Sequence, residues 1–561
     1  MNCVGAGAWP IEERGFSRLG LMISPATKVL RMNLKGWPIL FILLTAGLFL
    51  YLQVFISPNI PRCASGDQAI YLHHATRMLE GEMIYRDFNH FTPPGMDLVD
   101  LMLLRLFGVR AWIPQVMLIL IGIILAWLSI AVSEKVMTGP AVYLPGLLFL
   151  AFPFSSFLDA THHWYSTLFV MAALAVVLEK RTVARLALAG ALCGLATCIT
   201  QSQVLATVGF GLYLLWEERR NQEPWRSLLR KEAHLGSSFL ATILAFDTYF
   251  VWKVGLRQFF YYTVVFAAKY YPADRFNNWR AYLAYWPSVH LWPNWPDVIA
   301  WFFIHALIPL VYILFFVRYW REARLRPEKP WERLMLVNVT GMFVFLSVAT
   351  SPSYVRLYCV SLPGIILLSW FLDSPFRAEK VLRFGAWTAV LVLGIARPGV
   401  TQVRWRACLN LPTGRTAFFD PALYEKCRWL SERTRPSEYF FGDPFLCFAL
   451  RLRNPARVPF VRPTEYTRPE EVHQLVQVLQ EHRVRFVNCY NGLDASDLPG
   501  DHLSPLRLYL SAHYHLAKTF ANLDQIWERT DSLPHEGESS NAAGEGSSLE
   551  GPTRDDLFAR P

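Results

Sequence analysis

The sequence predicts an all-α polytopic membrane domain of about 11 transmembrane helices, followed by an extracytoplasmic α/β domain. Three observations predict it. Of 561 residues, 53% are hydrophobic and 17% charged, where soluble proteins run near ~45–50% and ~25%. Apolar runs recur along the first 400 residues. Lys and Arg gather between alternate runs, as the positive-inside bias requires. A chain so poor in charge cannot cover the surfaces of the roughly three or four soluble domains its length would otherwise suggest. Disordered, fibrous and soluble multidomain classes are excluded. The net charge of +10 does not indicate nucleic acid, because the cations form short clusters between runs and no basic stripe.

The first long run, Pro38–Ser57, has 20 residues, enough to cross ~30 Å of hydrocarbon. A cleaved signal peptide has an apolar core of only ~7–15 residues, so this run reads as an uncleaved anchor. Arg14, Arg18, Lys28, Arg31 and Lys35 precede it, which places residues 1–36 in the cytoplasm. Further runs lie at about 113–132, 140–158, 163–178, 186–199, 203–216, 235–254, 297–317, 334–350, 356–372 and 383–397. The connections Glu179–Arg185, Glu217–Glu232, Arg318–Arg333 and Asp373–Arg383 carry the cations, six of them in Arg318–Arg333. Residues 186–216 have basic residues at both ends, so the polar break at Thr200–Gln203 is the natural outer turn. The membrane domain is then 37–397.

Three pieces fall outside: the loop 58–112, the aromatic loop 255–296, and residues 398–530. The aromatic loop carries Tyr261, Tyr262, Tyr270, Tyr271, Trp279, Tyr282, Tyr285, Trp286, Trp292 and Trp295, a density that suits an interfacial belt. In the third piece, Glu438–Phe441 and Val484–Cys489 read as strands and Pro469–His482 as an amphipathic helix. Residues 531–561 hold seven acidic residues and much Gly, Ser and Pro; they cannot bury a core and are expected to be disordered. The nine cysteines show neither CxxC pairs nor zinc spacing with His. Cys63, Cys408, Cys427, Cys447 and Cys489 fall outside, where disulfides can form, and their odd number leaves at least one thiol.

Asp67 follows the first span closely, in Ser65-Gly66-Asp67-Gln68. Ala69–Leu79 can run as an interfacial helix with Ile70, Leu72 and Leu79 toward lipid, and Gly81 ends it. A carboxylate beside the bilayer under an aromatic loop suits a general base; capping the helix at Ala69 is the plainer role. The turn Leu158–Tyr165 contains Asp159, His162 and His163, and an acid with imidazoles suits a divalent metal as well as a helix cap. Asp247 sits deep in a span, where an acid faces a cavity or a bonded partner. Lys269 and Arg356 are outer cations that fit a lipid phosphate or simply snorkel to headgroups.

Gly66-Asp67-Gln68, Ala75, Leu79, Gly81, Tyr85, Asp87, Pro93 and Pro94 together resemble the first-loop pattern of the C-type (GT-C) integral membrane glycosyltransferase superfamily, in particular its protein mannosyltransferase and aminoarabinose transferase branch. Gln68 stands where that family often has Glu. The resemblance covers about residues 37–400. It implies Asp67 as the catalytic acid/base residue, and substrate or acceptor binding by Tyr85, Asp87, Asp159 and His163. Lys269, Arg356 and Tyr358 would bind the donor phosphate, although Arg356 is one residue removed from an adjacent Arg-Tyr pair. Asp159 and His162 would hold a divalent metal if the enzyme uses one. The implied activity is transfer of a sugar from a polyprenyl-phosphate donor to a lipid, glycan or protein acceptor at the outer face of a cell inner membrane. Two other classes compete: a lipid-linked glycan polymerase or ligase, and a transporter or flippase. The acidic motif directly after the first span argues against the former, and the lack of a clear repeat argues against the latter.

Overall fold

The computed structural model describes residues 25–532 except 57, 65, 275–276, 285–294, 374–375 and 491–499. The segment before residue 25, the tail beyond 532, Tyr285, Trp286 and Trp292 therefore lie outside the described residues, as does the side chain of Trp295. The chain forms two compact units.

The first unit comprises residues up to 62, 114–245 and 282–404, and it is helical. A helix occupies each apolar run, from Pro25–Val54 through Ile113–Ser133, Gly139–Phe154, His162–Glu179, Val183–Ile199 and Val204–Arg220 to Arg377–Val403. Five described helices are long and apolar enough to cross a membrane, six if the pair Tyr354–Val360 and Leu362–Leu372, bent by 62°, counts as one. Eleven spans were expected. Much of the difference lies in helix length: Val183–Ile199 and Val204–Arg220 have 17 residues each, about 25 Å at ~1.5 Å per residue, short of the ~30 Å of hydrocarbon; His162–Glu179 has 18 but opens on polar side chains. Small residues let these short helices pack closely. Gly190 lies against the carbonyl of Leu235, and a Cβ on Gly194 would come 3.0 Å from that of Phe239, the small-xxx-small device of membrane helices. The basic connections are held by carboxylates: Arg185–Glu179 is 2.6 Å, Lys135–Glu179 3.2 Å and Arg181–Glu217 3.0 Å.

The second unit is assembled from three stretches of chain, 63–113, 246–281 and 405 onward. Its four-stranded sheet runs in the order Phe440–Phe441, Phe486–Cys489, Gln525–Arg529, Tyr514–Thr519. The first pair is parallel and the others antiparallel. A separate hairpin joins Ala407–Leu411 to Gly414–Phe418. Helix Pro469–Glu481 places Val472, Leu475 and Leu479 on one stripe, and these pack with Val484, Val487, Leu506 and Leu510. Its start is fixed by the Glu471 carboxylate, which accepts from the Arg468 N–H at 3.0 Å. Cys408, Cys427, Cys447 and Cys489 carry thiols and no disulfide.

The first loop is built into this unit. Cys63 N–H donates to the Ala417 carbonyl at 2.8 Å, Ala111 N–H to that of Thr413 at 3.0 Å, and Asn89 N–H to that of Arg457 at 2.8 Å. Helix Gly66–Leu79 is covered by helix Pro444–Leu450. Leu72, expected to face lipid, is instead 0% exposed, because that helix and the loop itself wrap the face the sequence suggested was open. Gly81 ends the helix at φ +96°, a conformation available to glycine without strain. The aromatic loop also departs from a belt. Tyr262 and Phe250 close a core with Ile84, Tyr85 and Phe88, whereas Trp279 is exposed.

Candidate functional site

Within the second unit, Asp67 stands at the second position of helix Gly66–Leu79, partly exposed, between exposed Gly66 and buried Gln68. Gly66 turns the chain at φ +55°, so the carboxylate sits where the chain swings into a buried helix. One turn on, Tyr71 is 2% exposed. Burial, then the charges of Asp97 and Asp67, push its phenol well above the ordinary tyrosine value. Its hydroxyl meets Thr92 Oγ1 at 3.2 Å, and the same hydroxyl of Thr92 meets His90 Nε2. Two turns beyond Asp67, His74 Nδ1 lies 3.1 Å from Asp97 Oδ1. Asp97 enters because helix Gly95–Phe107 starts directly after Pro94. Its Oδ2 lies 3.4 Å from His90 Nε2. Burial lifts the Asp97 carboxyl to about 6, with His90 opposing, and lowers the His74 imidazole to about 3. The loop thus presents Asp67 at one end of a buried polar line.

The other first-loop candidates are engaged structurally. Tyr85 is 0% exposed and left-handed at φ 68°; its hydroxyl donates to the Thr92 carbonyl at 2.6 Å. Asp87 accepts from the Met83 N–H at 2.7 Å and pairs with Arg86 at 2.8 Å, whose hydrogen bonds hold its carboxyl below the usual range. Lys269 is exposed and lies over the Tyr270 ring at 5.2 Å. The opposite cation on Tyr270 comes from the C-terminal stretch, Arg468 at 3.9 Å. Asp247 falls within electrostatic range of Tyr85.

Within the first unit, helix His162–Glu179 is preceded by Thr161 at its N-cap, so Asp159 is not the capping residue. Its carbonyl accepts from the Thr161 N–H at 2.8 Å. His162 and His163 are buried, with ring centroids 3.8 Å apart, and Arg356 is within electrostatic reach of both. The Arg356 guanidinium is held by the carbonyl and hydroxyl of Ser351. Tyr358 is buried and edge-on to Tyr354 and Phe152. Arg397, which sequence reasoning passed over, donates to the Ser155 carbonyl at 3.0 Å and the Ser156 hydroxyl at 2.9 Å, with Tyr358 in range. It ends the last apolar run, and a lone cation there reads as an interface anchor. His74, His90 and Asp97 were also missed. The signal for His74 was the spacing 67, 71, 74, which puts an acid, a phenol and an imidazole on one helical face.

No family model matches the sequence, and no curated protein matches it significantly. Solved structures do match in three dimensions. ArnT from Cupriavidus metallidurans bound to undecaprenyl phosphate aligns over 89% of this chain and 99% of its own, at TM-score 0.56 and 15% identity. The apo state of that protein gives 0.53, again at 15% identity, over 88% of this chain and 98% of its own. The archaeal oligosaccharyltransferase AglB from Archaeoglobus fulgidus, in complex with an inhibitory peptide and a dolichol-phosphate, aligns over 90% of this chain and 75% of its own, at 0.50 and 10% identity. At such identities the likeness is one of fold. The many apolar helices, the first loop seated in a mixed unit and these neighbours agree that the chain has the fold of the C-type integral membrane glycosyltransferases.

Proposed function

We propose that the chain is a membrane glycosyltransferase that moves a sugar from a polyprenyl-phosphate donor to an acceptor hydroxyl, amide or lipid at the outer face of a cytoplasmic membrane. The observation that carries the reading is the placement of Asp67. It is partly exposed, on the rigid start of a helix whose following residues are buried. A polyprenyl phosphate leaves readily, so the chemistry asks for a base on the acceptor and positive charge at the departing phosphate. Asp67 serves as the base. Arg356, Tyr358 and Lys269 serve the phosphate, with Arg397 added beside Tyr358. One displacement by the activated acceptor inverts the anomeric carbon.

The neighbours support the donor class, since one is described with undecaprenyl phosphate and another with a dolichol-phosphate. Tyr85 and Asp87 shape the loop that carries the base. Asp159, just before helix His162–Glu179, and His163, in its first turn, are assigned to substrate binding. The oxygen of Asp159 and the nitrogen of His162 suit a divalent ion, which would supply further positive charge to the leaving phosphate. The deciding experiment is transfer from a defined polyprenyl-phosphate sugar by purified Asp67→Asn protein. Turnover should fall roughly 10²–10⁴-fold with donor binding retained, the usual contribution of a general base. Near wild-type kcat in the folded variant would overturn the mechanism.

A further inference from the structure

We propose that His74, His90 and Asp97 form a buried site for a divalent ion of the zinc class, fastening the first-loop helix to the turn Thr92–Gly95. The three side chains come from three separate places: mid-helix, the strap before the turn, and the first turn of the next helix. All are at least nine-tenths buried, Asp97 completely. One donor atom from each lies within 4.8 Å of the others.

The distances suit a shared ion. Tetrahedral zinc with bonds of ~2.0–2.1 Å sets its donors about 3.3–3.4 Å apart. His74 Nδ1 lies 3.1 Å from Asp97 Oδ1 and His90 Nε2 3.4 Å from Asp97 Oδ2, one imidazole at each oxygen of the carboxylate. Two imidazoles and one carboxylate are a donor set zinc accepts, leaving a fourth position to water or an oxygen donor. Thr92 Oγ1, hydrogen-bonded to His90 Nε2, is placed to be that donor.

The charge balance also asks for a cation. Asp97 Oδ2 accepts no hydrogen bond, and His74 Nε2 makes none. Asp100, one turn along the same helix, is also buried and electrostatically coupled to Asp97. The nearby cation, Arg77, is already matched by Glu82 at 2.6 Å and by the Ala456 carbonyl at 2.8 Å. The Phe88 ring packs on His74 at 4.8 Å and the Tyr71 ring stands edge-on to His90 at 5.3 Å. A carboxylate in such a place is costly unless paired. Such an ion would be structural: Tyr71 separates the cluster from Asp67 along the helix.

The test is elemental analysis of the full chain, purified in detergent and reconstituted with zinc, together with the electronic spectrum of the cobalt-loaded protein. Wild type should hold an ion whose cobalt spectrum reports imidazole and carboxylate ligands. Asp97→Asn and His90→Gln should each lose one equivalent, and a chelator should lower the melting temperature of wild type but not of these variants. Asp67→Asn and His163→Ala should keep that equivalent. Wild type without zinc or a cobalt spectrum after reconstitution would overturn the proposal, and so would variants with unchanged metal content. If neither substitution folds, direct titration of wild type with cobalt still decides: no saturable spectrum, no site.

Discussion

Asp67, Arg356 and Lys269 have different surroundings, and their removal should be felt differently. Arg356 is pinned by Ser351 beside two buried imidazoles. On the proposed role, its loss removes a half-buried charge partner of the donor phosphate, so Arg356→Ala should weaken donor binding by about 2 kcal/mol, the low end of the range for truncating one side of a buried charge pair. Lys269 is exposed over Tyr270, where solvent and salt screen it. Lys269→Ala should cost less than about 1 kcal/mol, and its effect should shrink as salt is raised. Donor binding to each purified variant measures both; equal losses would show that exposure is not the deciding variable. Asp67 was legible because the first-loop pattern isolates it directly after a span. His90 and Asp97 were not, because 16 and 23 residues of chain separate them from His74, and no periodicity links a strap to two helices.

At the level of elements, the turn Met83–Gly95 is the joint of the site. Its hydrogen bonds come mostly from side chains: Asp87 to the Met83 N–H, Tyr85 to the Thr92 carbonyl, Tyr71 to the Thr92 hydroxyl. Tyr85→Phe removes one donor and leaves a buried carbonyl unpaired, a cost of about 1–3 kcal/mol. The melting temperature should fall, and kcat should fall with it only as far as the turn carries Asp67; a variant as stable as wild type would show that the bond is not made. Helix Pro469–Glu481 and strand Phe486–Cys489 were readable in advance because Val472, Leu475 and Leu479 recur at helical spacing and the strand is apolar at Phe486, Val487 and Cys489. Leu72 was misjudged by the same logic. Periodicity marks which residues want burial, but a chain segment more than 370 residues downstream, Pro444–Leu450, supplies the cover, and local pattern cannot name the partner.

For the whole molecule, the alternation of basic connections predicts residue 530 outside, so alkaline phosphatase fused there should be active; a cytoplasmic fluorescent fusion that folds at that point would reverse every side assignment, that of Asp67 included. Deleting 405–532 is the second test at this scale. In the structure this stretch receives hydrogen bonds from Cys63, Arg77, Asn89 and Ala111, so the truncated chain should lose turnover, and its first loop should become protease-sensitive while the helical unit persists. A truncation with a protected loop and normal turnover would contradict this. The same stitching has a consequence during synthesis. Cys63 leaves the ribosome about 350 residues before Ala417, its hydrogen-bond partner. At ~5–20 residues per second this is a delay of roughly 20–70 s. For that interval the nascent loop bearing Asp67 lacks its C-terminal partner, and the side chains that stretch covers, Leu72 among them, stand open to chaperones, oxidants and proteases. The protein becomes competent only when its last hundred or so residues arrive, so a ribosome that stalls late yields an inserted but inactive chain.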